Sequence, residues 1–317
     1  MDNSVLTSSL ADAMVRVTEE TAIASERLAG RGDEKKADAA AVDAMRKAFN
    51  AVDFKGRVVI GEGERDEAPM LYIGEEVGTG KGPEIDIALD PLEGTTLTAK
   101  AMANALAVLA IAPRGGLLHA PDTYMDKLAI GPGYPEGLIS LDASPADNIK
   151  ALAKHAKRKV EDMTVCVLDR PRHQEIIDSL RSAGARIALI SDGDVAGVIA
   201  TTNPLTGIDM YVGQGGAPEG VLAAAALKCV GGQMFGRLVF RNDDEKKRAT
   251  RVGITDFGKT YSLNELASGE TVFCATGVTK GNLLDGVLHR DGRVHTHTLV
   301  MTSTDGMVRY VRSARKA

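Results

Sequence analysis

The stretch Met163-Thr-Val-Cys-Val-Leu-Asp-Arg-Pro-Arg-His173, together with the chain onward to Cys229, decides the fold. Thr164–Leu168 is a short apolar, β-branched run closed by a turn signal, and it reads as a strand. A helical stretch comes next, then Arg186-Ile-Ala-Leu-Ile190 as a second strand, a further helix, Ile208-Asp-Met-Tyr-Val212 as a third strand, and a last helix. Strands alternating with helices in this way predict a parallel α/β unit. In such sheets ligands collect beyond the carboxyl ends of the strands. At the three ends stand Asp169-Arg-Pro-Arg-His173, Asp192-Gly-Asp194 and Gly213-Gln-Gly-Gly-Ala-Pro-Glu219, so polar chemistry is expected there.

Upstream, Leu10, Met14, Val17, Ala24 and Leu28 recur at helical spacing until Gly30 supplies a stop. Asp38, read as an N-cap, opens a second helix with Val42, Met45 and Phe49 on one face. Arg57-Val-Val-Ile60 is a short strand, and Glu84–Asp90 alternates Ile85, Ile87 and Leu89 against Asp86, Ala88 and Asp90. Asn242–Arg251 is charged and reads as a loop, and the tail from about Glu270 reads as further strands. A chain of 317 residues with 44% hydrophobic content exceeds the usual size of one compact domain. Two packed domains are expected, 1–160 and 161–317.

Thirty-eight basic and 43 acidic residues give a net charge of −5, with no electrostatic footprint for nucleic acid or an anionic membrane. The N-terminus lacks a basic region followed by an apolar one, and the apolar run Ala105–Ala112 is too short to span a bilayer. A cytoplasmic chain with a small-molecule partner is expected. Cys166, Cys229 and Cys274 are odd in number, widely spaced and set in apolar stretches, which argues against a disulfide framework and a zinc site.

Three acidic clusters could do chemistry: Gly61-Glu-Gly-Glu-Arg-Asp-Glu67, Asp90-Pro-Leu-Glu-Gly-Thr95, and Glu219 in its glycine-rich surroundings. Oxygen-only donors are what hard cations such as Mg²⁺ or Mn²⁺ demand, and converging carboxylates repel one another unless cations lie between them. A two-metal phosphoryl-transfer site follows from that reading. Taken alone, the Glu62–Glu67 run reads as a solvated loop at least as readily as a ligand set. The Asp90 stretch is more specific, because Pro91 stops strand pairing and Gly94 lets the backbone turn so that Asp90, Glu93 and the Thr95 hydroxyl face one volume. Arg170 and Arg172, with His173, offer phosphate-binding donors, and the glycines at 213, 215 and 216 offer backbone N–H groups before a helix. A surface ion-pair role is an equal alternative for the arginines, and Tyr124 is either a substrate contact or a half-buried ring.

Taken together, Gly30-Arg-Gly-Asp33 with Ala37-Asp38, Ile60-Gly-Glu-Gly-Glu64, Asp66–Gly74, Asp90–Thr95, Ala120-Pro-Asp-Thr-Tyr124, Arg170-Pro-Arg-His173, Asp192-Gly-Asp-Val195 and Gly215-Gly-Ala-Pro-Glu-Gly220 closely resemble the motifs of the class II fructose-1,6-bisphosphatases. These are the GlpX-type family of the lithium-sensitive phosphatase superfamily, and the resemblance covers nearly the whole chain. It implies a layered α-β-α-β-α fold, with a metal-binding phosphatase domain over 1–160, a substrate-phosphate-binding domain over 161–317, and a homo-oligomer, dimer or tetramer. It implies that Asp38, Glu62, Asp90, Glu93 and Glu219 ligate Mg²⁺ or Mn²⁺. Substrate is implied at Glu93, Gly94 and Thr95, at Tyr124, at Arg170, Pro171 and Arg172, at Asp192, Gly193 and Asp194, and at Gly216. The expected reaction is hydrolysis of the 1-phosphate of fructose 1,6-bisphosphate, a gluconeogenic step, with Asp66 and Thr95 orienting and deprotonating the attacking water. A dual enzyme that also takes sedoheptulose 1,7-bisphosphate, an inositol monophosphatase and a non-catalytic sugar-phosphate binder are the alternatives.

Overall fold

The computed structural model describes residues 5–62 and 71–317. Two compact units emerge, Met1–His119 together with Ala267–Ala317, and Ala120–Leu266. The first opens with α1 (Ser8–Glu26), α2 (Glu34–Phe49), β1 (Lys55–Ile60), β2 (Glu76–Val77), β3 (Glu84–Glu93), α3 (Thr95–Ala99) and β4 (Leu106–Pro113). In the second lie β5 (Tyr124–Ile130), α4 (Pro145–Ala156), β6 (Thr164–Leu168), α5 (Gln174–Ser182), β7 (Arg186–Ile190), α6 (Asp194–Ala200) and β8 (Met210–Gly216). It continues with α7 (Ala217–Val230), β9 (Gln233–Val239), α8 (Asp243–Arg251), β10 (Thr260–Ser262) and α9 (Leu263–Leu266). The chain then returns to the first unit as β11 (Val272–Gly277), β12 (Leu288–Arg290), β13 (Arg293–Thr302) and β14 (Met307–Lys316).

That return is why the units differ from the division at 160/161 expected from the sequence. β11 pairs antiparallel with β4, Phe273 opposite Ala110 and Cys274 opposite Leu109, so the last strands complete the sheet that the first strands began. The order is β12-β13-β11-β4-β3-β1-β2, with β14 added along β13. β1 and β3 are parallel, and the sheet is otherwise antiparallel among its described pairs. Helices α1 and α2 bury Met14, Val17, Val42, Met45 and Phe49 in one cluster with Ile85, Ile87, Leu109 and Val272. The expected cap at Asp38 is corrected: the N-cap of α2 is Asp33, whose carboxylate accepts from the Lys36 N–H at 3.1 Å, and Asp38 lies inside the helix.

The second sheet has the order β10-β9-β5-β8-β6-β7. β6 runs parallel to both β7 and β8, as the alternating pattern predicts, while β5 pairs antiparallel with β8 and β9. Leu128, Val165, Val167, Met210 and Val212 form one core with Ile149 and Leu152 of α4 and Ile177 and Leu180 of α5. The α/β class is therefore observed, in two mixed sheets with helices. The charged stretch read as a loop is helix α8 instead. Asn242 caps it by accepting from the Glu245 N–H at 2.9 Å, and its first turn is acidic while its last is basic, which suits the helix dipole. The three cysteines are free and buried. No helix among the described residues is long and apolar enough to cross a membrane.

Candidate functional site

In the first unit the acidic corner is built on β3. The strand does not stop at Asp90: it continues through Pro91 to Glu93, with a register shift between Asp90 (opposite Val108) and Glu93 (opposite Leu106). A bulge re-aims side chains without ending the pairing, which explains how a proline is tolerated here. The Asp90 carboxylate accepts from the Leu92 N–H at 3.0 Å and clasps the bulge. Gly94 follows at φ +93°, a conformation few other residues adopt, and a methyl group there would sit 2.8 Å from the Leu97 side chain. The expected tight turn is thus present, and it delivers buried Glu93 and then Thr95 as the first residue of α3.

Helix α2 packs against α3 and β3. On it the Asp38 carboxyl is partly buried, and desolvation holds it above the usual carboxylate range. Glu62 lies just beyond β1, its backbone N–H donating to the Leu71 carbonyl at 2.9 Å. Asp66, with Glu64 and Glu67, lies outside the described residues. Among the described residues no three His, Cys, Asp or Glu side chains are gathered closely enough to hold an ion.

The second unit gathers the expected phosphate-side residues. Arg170 precedes the short 3₁₀ turn Pro171–His173 at the end of β6, and its guanidinium lies 3.7 Å from the Asp192 carboxylate. Arg172 donates through Nε (3.1 Å) and Nη2 (2.8 Å) to the Gln214 carbonyl, and its guanidinium lies 5.0 Å from the Tyr124 ring centroid. A phosphate role for His173 is corrected: the ring is buried, Nδ1 donates to the Leu168 carbonyl at 2.7 Å, and Nε2 accepts from the Gln214 N–H at 2.8 Å. It ties the end of β6 to β8.

The glycines of Gly213–Gly216 are also not a loop. They belong to β8, with Gly216 opposite Tyr124, Gly215 opposite Met125 and Gly213 opposite Lys127. Their smallness has a packing reason. A methyl group on Gly215 would lie 2.0 Å from Asp194 Oδ2 and 3.2 Å from Lys127 Nζ, and one on Gly216 would lie 1.9 Å from Glu219 Oε2. Between them sits a charged cluster that the sequence reading missed. Lys127 of β5 is fully buried, and its ammonium meets the Asp194 carboxylate at 2.5 Å. Asp194, expected at the substrate, is thus taken up by an internal ion pair at the start of α6, whereas Asp192 stays partly open to solvent. Glu219, in the first turn of α7, has its Oε2 buried without a hydrogen bond. Desolvation pushes its carboxyl up, and the Lys127 charge opposes that shift. The one signal for Lys127 in the sequence is a lysine alternating with Met125 and Ala129 along a strand, at inward positions.

The family model described as "Bacterial fructose-1,6-bisphosphatase, glpX-encoded" matches residues 8–315. The chain belongs to this class II fructose-1,6-bisphosphatase family. It is 45% identical over 318 residues to a D-fructose 1,6-bisphosphatase class 2/sedoheptulose 1,7-bisphosphatase of Prochlorococcus marinus (strain NATL1A), covering 96% of this chain and 95% of that protein. Two Synechococcus proteins of the same name, from strains JA-2-3B'a(2-13) and JA-3-3Ab, are each 45% identical over 323 residues, covering 94% of this chain and 93% of theirs. As a fructose-1,6-bisphosphatase family member the chain is a hydrolase, a family that works with a divalent metal. Carboxylate oxygen is the donor such an ion takes, and each unit by itself holds a desolvated carboxyl, Asp38 in the first and Glu219, whose Oε2 is buried with no hydrogen bond, in the second.

Proposed function

We propose that the chain hydrolyses the 1-phosphate of fructose 1,6-bisphosphate to fructose 6-phosphate and phosphate, as a gluconeogenic enzyme of the cytoplasm. Asp38, Glu62, Asp90, Glu93 and Glu219 are its proposed oxygen ligands for Mg²⁺ or Mn²⁺. The observation that carries the reading is the family match over residues 8–315. A bound cation of this kind offsets carboxylate and phosphate charge and acidifies water, which is the chemistry the family's reaction needs. The residues of the chain supply the rest. The β3 bulge and the Gly94 turn hold Glu93, Gly94 and Thr95 in sequence, and the Thr95 hydroxyl together with Asp66 orients and deprotonates the attacking water. Arg170, Pro171, Arg172 and Tyr124 hold the second phosphate, with Asp192, Gly193 and Gly216 beside the sugar. Asp194, by contrast, is read as supporting this wall through Lys127 rather than touching substrate.

The same protein names support a second substrate. All three relatives are named for sedoheptulose 1,7-bisphosphate as well, so the dual activity is carried as part of the proposal, and a homo-oligomer as its assembly. The test is phosphate release from each bisphosphate, before and after treatment with a chelator. Activity is expected to vanish in the chelator and to return with Mn²⁺ or Mg²⁺, with a raised melting temperature in saturating cation. Full turnover in chelator would remove the metal role, and no phosphate release from either sugar with the cation present would remove the function.

A further inference from the structure

Tyr124 carries a second guanidinium besides that of Arg172. Arg241 lies just past β9, beside the first residue of β5, and its guanidinium carbon is 4.7 Å from the Tyr124 ring centroid. An arginine four residues from a glutamate is ordinarily a solvated ion pair of little consequence. This pair is built differently. Glu245 is buried, with its side chain only 2% exposed, while that of Arg241 is 55% exposed. Glu245 Oε1 accepts from Arg241 Nε at 2.7 Å, and Oε2 accepts from the Arg241 backbone N–H at 2.7 Å and from the Thr123 hydroxyl at 3.0 Å. One buried carboxylate therefore fixes the backbone and side chain of Arg241 and also the residue next to Tyr124. Arg241 Nη2 also meets Glu245 Oε1 at 2.5 Å, and the side chain nonetheless stays more than half exposed.

Arg172 is held in a similar manner, with Nε and Nη2 on one carbonyl, so that two cationic forks stand fixed beside one phenol ring. Fixed forks with uncommitted N–H groups are what a phosphate dianion recognises, and pre-orientation lowers the entropy lost when it binds. We propose that Arg241 is a further phosphate-binding residue of the second unit, and that with Arg172 and Tyr124 it selects sugar phosphates carrying a phosphoryl group distant from the one that reacts. The proposal rests on the function proposed above and deepens it.

The experiment compares Arg241→Ala and Arg241→Lys with the wild-type chain in saturating Mn²⁺. Steady-state kinetics on fructose 1,6-bisphosphate and on p-nitrophenyl phosphate are paired with the melting shift given by fructose 6-phosphate in chelator. Loss of a charge-assisted contact predicts a roughly 10- to 100-fold rise in KM for the bisphosphate with kcat changed less than about threefold. The small aryl phosphate should be turned over as by the wild type, and the fructose 6-phosphate shift should shrink. Arg241→Lys keeps a cation against Glu245 and so protects the fold, but it loses the fork, and an intermediate rise in KM is expected. If Arg241→Ala does not fold, the lysine variant decides the matter alone. An unchanged KM in the lysine variant, or an equal loss on both substrates, overturns the proposal. Should the wild type fail to hydrolyse fructose 1,6-bisphosphate, the function itself falls, and the melting shift still reports whether Arg241 holds a sugar phosphate.

Discussion

Replacing Lys127 by methionine removes the one cation of the buried Lys127–Asp194 pair while keeping the length and apolar stem of the side chain. Asp194 is then left buried with an uncompensated charge, and the nearby Glu219 loses the positive neighbour that favours its ionised form. A stranded carboxylate escapes by taking a proton. Breaking one side of a buried pair typically costs about 3–5 kcal/mol. The variant should unfold in urea with a loss of about 3–4 kcal/mol at pH 7, read by far-ultraviolet circular dichroism in chelator so that no added cation substitutes for the lysine. The pH dependence has a definite sign. Burial already holds the Glu219 carboxyl above its usual range and loss of the Lys127 charge raises it further, so the folded variant binds that proton more tightly than the unfolded chain and regains stability as pH falls. The deficit against wild type should therefore be smaller at pH 5 than at pH 7. A further Asp194→Asn change should recover most of the loss at pH 7. A deficit below about 1 kcal/mol at pH 7, or the same deficit at both pH values, would refute this account of the pair.

Gly215→Ala forces a methyl group to 2.0 Å from Asp194 Oδ2, whereas at Gly213 the nearest atom is 3.4 Å away, on the His173 ring. The first should therefore destabilise by about 1–3 kcal/mol and the second by much less. Melting curves of the two variants test this, and equal midpoints would contradict the packing explanation of the glycines. Burial, and secondarily the Asp194 charge, pushes the Cys166 thiol up to about 12, and all three cysteines are buried. A thiol reagent at pH 8 should label them only in denaturant, and rapid labelling of the native chain would count against the described core.

Much of the framework is legible in the sequence because its signals are local. Thr164–Leu168 and Arg186–Ile190 are continuous apolar strands with the bounds expected, and the turn at Gly94 follows from one residue that tolerates φ +93°. Helix α8 was hidden for the opposite reason, since Asp243–Arg251 is almost wholly polar and shows no apolar stripe. Its local signal was nevertheless present in Asn242 and Glu245, a cap and an acid three residues on. What no local pattern encodes is which distant strands meet. The return of β11 to β4 joins parts of the chain on either side of the second unit, and Lys127 finds Asp194 across 67 residues.

The same distinction separates what the motifs do. Arg170-Pro-Arg-His173 reads as one polar cluster, yet its histidine is turned inward between two backbone strands while Arg172 lies beside an aromatic ring. Asp192-Gly-Asp194 divides likewise into one carboxylate partly open to solvent and one buried in an ion pair. In Gly215-Gly-Ala-Pro-Glu-Gly220 the first two glycines leave space for Asp194, Lys127 and Glu219. The arginine and aspartate motifs both follow a strand end into a 3₁₀ turn or a helix start, and there neighbouring residues divide between solvent and core. Arg241 lies outside every motif read from the sequence, yet Glu245 holds it against the same ring as Arg172. Its loss should accordingly be felt in substrate preference before it is felt in the rate of the chemical step.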